Sequence, residues 1–140
     1  MRFWDSSALI PILVREKSSE SMRAILASDR HIAASVITPI EIESALWRRR
    51  HHDDLDAEQH SASEEIFAEL TRSWSEIGDI MIVRGIALDL LSRHVLRAAD
   101  AIQLATAIVA SGSNRVPLPF VTLDRDLAQA ARAEGFDVLP

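Results

Sequence analysis

Cysteine is absent from this sequence, and glycine occurs only four times. Without cysteine there is no disulfide framework, no thiolate zinc site and no cysteine nucleophile, a pattern that fits the cytoplasm. So few glycines leave no Gly-x-x-x-x-Gly-Lys phosphate loop and no Gly-x-Ser-x-Gly elbow, so neither nucleoside-triphosphate chemistry nor that hydrolase class is indicated. No apolar run approaches the ~18 residues of a membrane span. Asp5 interrupts the place where a signal peptide would carry its apolar core. Positive charge is short as well: the formal net charge is -6, which argues against a general nucleic-acid coat. It leaves room for an enzyme whose acids are gathered at a metal site. The five histidines show no His-Glu-x-x-His spacing, so a zinc protease site is not indicated.

What remains is ordinary globular material. With 140 residues, 48% of them hydrophobic and 26% charged, the chain suffices for one domain with a real core, and residues 1–140 read as a single unit. The run Arg2-Phe3-Trp4 stops at Asp5-Ser6-Ser7 and passes into an apolar helical pattern (Ala8, Leu9, Ile12, Leu13). This is the signature of a first strand, loop and helix in an α/β domain. Ser6 or Ser7 is placed to cap that helix, and Ser18 or Ser19 a second one containing Met22, Ile25 and Leu26. Residues 31–36 read as the second strand. Thr38-Pro39-Ile40-Glu41 then carries proline at the first helical position and glutamate three residues after threonine, the pattern of a capping box.

The helix it opens runs to about His51, ending in Arg48-Arg49-Arg50-His51-His52 before the acids Asp53 and Asp54. Basic residues at a helix C-terminus suit the macrodipole, and the same cluster is the best basic contact for RNA phosphates on an acidic chain. Ala62, Ile66, Phe67, Leu70, Trp74 and Ile77 form one apolar stripe, predicting a helix that Gly78 ends and that pairs with the preceding one as an antiparallel hairpin. Trp47 and Trp74 occupy stripe positions suited to packing or subunit contact. Ile80-Met81-Ile82-Val83 reads as the third strand, residues 86–93 as a short helix, and residues 100–110 as a helix apolar nearly all round and therefore buried. Gly112 and the Pro117 and Pro119 segment break that helix. Phe120-Val121-Thr122 reads as the fourth strand, residues 124–134 as a helix closed by Gly135, and residues 136–139 as a last strand. Strands alternating with helices predict a parallel sheet of four or five strands.

Four acids stand at element boundaries: Asp5, Glu41, Asp100 and Asp124. Singly, each has an ordinary structural role as a cap. Three of them follow strand ends, and in an open parallel sheet such positions share the carboxyl edge where ligands bind. The local pattern does not place Asp100 there. Carboxylates crowded into one cleft repel one another unless a cation joins them, and the oxygen-only donor set suits Mg²⁺ or Mn²⁺. Ser6, Ser7 and Thr122 add hydroxyls on the same edge. Asp126 and Glu43 are further acids beside Asp124 and Glu41, whose plain roles are a first-turn helix acid and a surface residue.

At these residues the sequence resembles a known family. Trp4-Asp5-Ser6-Ser7-Ala8-Leu9, Ile37-Thr38-Pro39-Ile40-Glu41, the segment from Leu96 through Asp100 to Ala107, and Val121-Thr122-Leu123-Asp124 are similar, in order and spacing, to the four signatures of PIN-domain ribonucleases. The likeness is greatest to VapC-type toxins of VapBC toxin–antitoxin pairs. The resemblance implies an α/β PIN-like fold with helices on both faces and a protruding helical hairpin. It implies a Mg²⁺- or Mn²⁺-dependent endoribonuclease acting on tRNA, rRNA or mRNA and leaving a 5′-phosphate and a 3′-hydroxyl. It also implies a cytoplasmic homodimer held inactive by a VapB-type antitoxin. By that likeness Asp5, Glu41, Asp100 and Asp124 form the acidic cluster, Asp5 and Asp100 as direct metal ligands, Glu41 and Asp124 through waters or a second ion. Many relatives carry asparagine where this chain has Ser7, so the hydrogen bond made there differs. Two other readings stay open: a phosphatase or phosphoacceptor domain with Asp5 as nucleophile, and a non-catalytic binding module whose acids are caps.

Overall fold

The structure, a computed structural model, describes residues 1–112 and 117–140. Five parallel strands, β1 (Arg2–Trp4), β2 (Ile32–Ser35), β3 (Ser75–Ile77), β4 (Phe120–Val121) and β5 (Val138–Leu139), form one sheet in the order β3-β2-β1-β4-β5. Helices connect them: α1 (Ser6–Leu13), α2 (Ser19–Ser28), α3 (Thr38–His51), α4 (Ala57–Thr71), α5 (Ile80–Arg93), α6 (Ala98–Ser111) and α7 (Arg125–Ala133). The α/β parallel architecture is the one the alternating pattern predicts.

Strand alternation divides the core in two. Phe3, Ala33 and Phe120 point to one face, where α5, α6 and α7 supply Val83, Leu90, Leu104, Leu127 and Ala131. Trp4, Ile32, Ala34 and Val121 point to the other, against Leu9 and Ile12 of α1, Met22 of α2, Ile42 and Leu46 of α3 and Phe67 of α4. Phe3 stacks on Phe120 with ring centres 5.2 Å apart, since the two residues are register partners across β1 and β4.

The strand order turns at β1. From it the chain winds outward through β2 and β3, then crosses to build β4 and β5 on the other side. The crevice at the carboxyl ends of β1 and β4 is therefore the topological switch point, where such sheets bind ligands.

Several local expectations are corrected. The third strand is Ser75–Ile77, not residues 80–83, which form the first turn of α5. Asp79 causes the difference, its side chain accepting the Ile82 N–H at 3.3 Å and capping a helix there. An apolar run of four residues fits a strand or a buried helix turn equally well. The long stripe likewise does not belong to one helix: α4 stops at Thr71, Trp74 lies in the connection and packs edge-on against Phe67, and Ile77 is in β3. Trp47, 45% exposed, packs against His60 and His51, in keeping with the packing or contact role expected of it. The predicted Thr38–Glu41 capping box is also absent, because Ile37 is the residue before the helix and no side chain caps it. The serine expected to cap α1 yields to Asp5, whose carboxylate accepts the Ser7 N–H. Among the described residues, no helix is long and apolar enough to cross a membrane.

Candidate active site

β1 ends and α1 begins at Asp5, which is 3% exposed. Its Oδ2 is held three times over, by the Ser7 N–H at 3.1 Å, the Ser7 hydroxyl, and the Thr122 hydroxyl at 3.0 Å arriving from the end of β4. Ser7 and Thr122 also lie 3.2 Å apart, and Ser7 Oγ accepts the Leu123 N–H at 3.0 Å. Two neighbouring strand ends are thus locked together through one carboxylate oxygen. Oδ1 accepts a long, weak hydrogen bond from the Ser6 hydroxyl, at 3.4 Å. Burial raises the Asp5 pKa above its ordinary value, and the hydrogen bonds from Ser7 and Thr122 oppose that rise.

Glu41 lies in the first turn of α3 and is half-buried. Freed from any capping role, it accepts a hydrogen bond from the Gln103 amide of α6. The same amide nitrogen donates to Thr38 Oγ1 at 3.0 Å, so one fully buried glutamine ties the start of α3 to α6. Burial raises the Glu41 pKa; the Gln103 hydrogen bond counters this, and the negative charges of Asp5 and Asp100 add to the rise.

Asp100 occupies the first turn of α6, its Oδ2 accepting the Arg97 N–H at 3.3 Å. Its pKa is raised by burial first and by the charge of Asp124 next; the Arg97 N–H opposes these, and the charge of Asp5 contributes further. Asp124 caps α7 by accepting the Leu127 N–H at 2.8 Å through Oδ1. The residue that the local pattern could not place therefore stands in one electrostatic field with the other three.

Each acid is a fixture of the fold, and for Asp5, Glu41 and Asp100 burial outweighs the groups that favour the charged form. For Asp5, Asp100 and Asp124 one oxygen is anchored by backbone or hydroxyl donors, while the other has at most the long Ser6 contact among the described residues. Capping and ligation are thus compatible roles, one for each oxygen. Among the described residues, no three acidic or histidine side chains stand close enough to form a ready-made ion cage. The donors are all oxygens, the carboxylates burden one another, and Mg²⁺ characteristically takes one or two carboxylates and keeps its waters. The residues fit such an ion.

Gln103 and Thr106 were missed in reading the sequence. Both are buried, and Thr106 meets Ser35 at the end of β2 at 3.1 Å. The signal was available: between residues 98 and 110 the polar side chains are Asp100, Gln103 and Thr106, a row at intervals of three along one helix face. The arginine triplet lies elsewhere. Arg48 is exposed, Arg49 pairs with Glu16, and Arg50 lies 3.9 Å from Asp53. Arg48 lies seven positions after Glu41 in α3, about 10 Å along the helix axis. Asp126 is exposed in the first turn of α7, and Glu43 is half-buried in α3.

The profile of the PIN domain family matches residues 2–133. The chain belongs to the PIN-domain family. PIN domains are generally nucleases. Solved PIN-type structures superpose over nearly their whole lengths. Mycobacterium tuberculosis VapC20, titled a sarcin-ricin loop cleaving toxin, aligns with a TM-score of 0.73 at 18% identity, covering 100% of both chains. FitAcB from Neisseria gonorrhoeae gives 0.71 at 20% identity, covering 100% of this chain and 97% of that one. A toxin–antitoxin complex from Klebsiella pneumoniae gives 0.67 at 18% identity, with the same coverage. Comparison with curated proteins gives no match. At these identities the superpositions establish the shared PIN fold.

Proposed function

We propose that this PIN domain is a metal-dependent endoribonuclease and the toxin of a VapBC-type toxin–antitoxin pair. The observation that carries the reading is the set of carboxylates at the sheet's switch point, where the charge of Asp5 adds to the burial that raises the pKa of both Glu41 and Asp100. Buried like charges of this kind are tolerated when a cation completes them. Asp5 and Asp100 would hold Mg²⁺ or Mn²⁺ directly, with Glu41 and Asp124 acting through water or a second ion. Such an ion neutralises charge on a phosphodiester and lowers the pKa of a coordinated water.

The chain's own residues do the positioning. Thr122 and Ser7 fix the Asp5 carboxylate, so its orientation does not depend on the ion. Gln103 fixes Glu41, and the start of α6 fixes Asp100. Hydrolysis by in-line attack of water would leave a 5′-phosphate and a 3′-hydroxyl. Residues 1–140 would act as one catalytic domain in the cytoplasm, on tRNA, rRNA or mRNA. The similarity to the toxin–antitoxin complex from Klebsiella pneumoniae supports a VapB-type antitoxin as partner. Homodimerisation is part of the same reading, supported by the apolar side chains that α5 leaves exposed at Met81, Leu88 and Leu91.

The test is cleavage of total tRNA and rRNA by purified protein with Mg²⁺ or Mn²⁺. Cleavage should be abolished by EDTA and by Asp100→Asn, and the products should accept a label at the 3′-hydroxyl. In parallel, Mn²⁺ alone should raise the melting temperature of the wild type but not of Asp5→Asn. RNA cleavage that persists in EDTA, or a melting temperature indifferent to Mn²⁺, overturns the reading.

A further inference from the structure

An acidic site repels the polyanion it is proposed to cut, so the RNA backbone has to be gripped by cations beside the site. Five arginines are engaged within the protein among the described residues. Arg49 pairs with Glu16, Arg93 with Asp89 and Glu134, and Arg50 approaches Asp53. Arg2 and Arg23 donate to main-chain carbonyls. Arg125 and Arg132 are exposed and, like Arg15, Arg30, Arg48, Arg72 and Arg84, form no side-chain ion pair or hydrogen bond among the described residues; what sets them apart is their place beside the acids.

Both line an open groove of about 960 Å³ that also includes Thr122 and Asp124. The groove thus begins at the residues that complete the acidic cluster. Arg125, Gln129 and Arg132 fall at i, i+4 and i+7 of α7, a single helix face, spaced over about 10 Å. The arrangement has guanidinium groups at its two ends, an amide between them, and its near end next to Asp124. Guanidinium forks suit phosphate oxygens. Asp126 lines the same groove and would oppose a phosphate chain there, as Asp124 would.

We infer that this face of α7 is the backbone-binding track for the RNA strand flanking the cleaved bond, with Arg125 and Arg132 holding phosphates and Gln129 a sugar or phosphate oxygen. The inference rests on the ribonuclease reading. It moves the principal basic contact from the Arg48-Arg49-Arg50 cluster to α7. Arg125 and Arg132 are positioning residues: they grip a part of the substrate that does not react, equally in the ground and transition states, so they act on KM rather than kcat.

The experiment measures initial rates of cleavage against concentration of a total tRNA and rRNA preparation, at several salt concentrations. Arg125→Ala/Arg132→Ala should raise KM by about tenfold or more with kcat nearly unchanged. It should also make the logarithmic salt dependence shallower by about 1.5, since each lost phosphate contact removes about 0.7 to 0.9. The paired lysine variant Arg125→Lys/Arg132→Lys should restore the salt slope. Asp126→Asn should lower KM, and Arg30→Ala, before the amino end of β2, should leave all parameters unchanged. If the wild type cleaves RNA and the double alanine variant keeps its KM and salt slope, the α7 assignment is wrong. Weaker RNA binding by Asp126→Asn would also overturn it and point to a cationic peptide as the groove's occupant. Failure of the wild type to cleave any RNA in Mg²⁺ or Mn²⁺ instead removes the nuclease reading itself.

Discussion

Asp5 is a buried carboxylate whose hydrogen bonds only partly offset the loss of solvent. Its folded-state pKa, like those of Glu41 and Asp100, lies above the ordinary carboxylate value. The native state therefore binds protons that the unfolded chain has already released. These groups leave stability undiminished at pH below the ordinary carboxylate range, and it is lost as pH rises through the elevated values. Asp5→Asn keeps an oxygen to accept the Ser7 N–H and removes the charge. In EDTA it should be more stable than the wild type at neutral pH, by on the order of 1 kcal/mol, while losing RNA cleavage. The stability gap should widen as pH rises above the ordinary carboxylate range, as read by thermal melts at a series of pH values. A variant less stable than the wild type in EDTA at neutral pH would mean that the carboxylate's hydrogen bonds outweigh its desolvation.

Gln103 is the residue through which Glu41 is aimed. Replacing it with methionine conserves length and removes the donor, leaving Thr38 and Glu41 without it. Outer hydrogen-bond partners of this type typically account for about 10–100-fold in metal affinity or activity. Gln103→Met should lower RNA cleavage within that range and cost about 1–3 kcal/mol of stability. Kinetics and urea melts of the same preparation separate the two effects. Unchanged cleavage would show that Glu41 needs no positioning.

At the scale of elements, α7 is capped by Asp124, the acid that the proposed function also places at the metal site. Asp124→Asn retains an oxygen for the Leu127 N–H, whereas Asp124→Ala loses it. Both should reduce cleavage, and only the alanine variant should also lose about 1 kcal/mol of helix capping. Equal activity in the asparagine variant and the wild type would make Asp124 a cap and nothing more. The boundaries were least legible in sequence where one residue could serve two structures. The apolar run at residues 80–83 satisfies a strand pattern, and a single side-chain oxygen at Asp79 makes it helical. Thr38 and Glu41 have capping-box spacing, yet both are drawn to Gln103, some 62 residues away from Glu41. Local spacing has no access to a partner on a distant helix.

For the whole molecule, α5 is the element with an unmatched surface. Val83, Ala87 and Leu90 face the core, and Met81, Leu88 and Leu91 do not. If two copies associate through this side, Leu88→Glu should convert a dimer to a monomer in sedimentation velocity without lowering the melting temperature of the protomer core, since Leu88 is 63% exposed. A wild-type protein that sediments as a monomer at micromolar concentration sinks the dimer proposal. The acidic balance of the chain acquires a spatial meaning at this scale. Asp5, Glu41, Asp100 and Asp124 stand toward the sheet's carboxyl edge, and Arg125 and Arg132 of α7 line the groove beside Asp124.

Alternating apolar and helical periods, with few glycines and no cysteine, determined an α/β protein with a parallel sheet, because hydrophobic period and strand order follow from residues near one another in the chain. The acids at the ends of β1 and β4 and after β2 were also visible, since a strand end is a local feature. The convergence of Asp100 on them was decided only by the fold. α6 has to bury its apolar sides against Phe3 and Phe120, and that packing turns its row of Asp100, Gln103 and Thr106 toward the ends of β1 and β2. The pairing of Arg49 and the freedom of Arg125 were likewise decided by which helices pack together. A charge's availability depends on neighbours that sequence distance does not reveal.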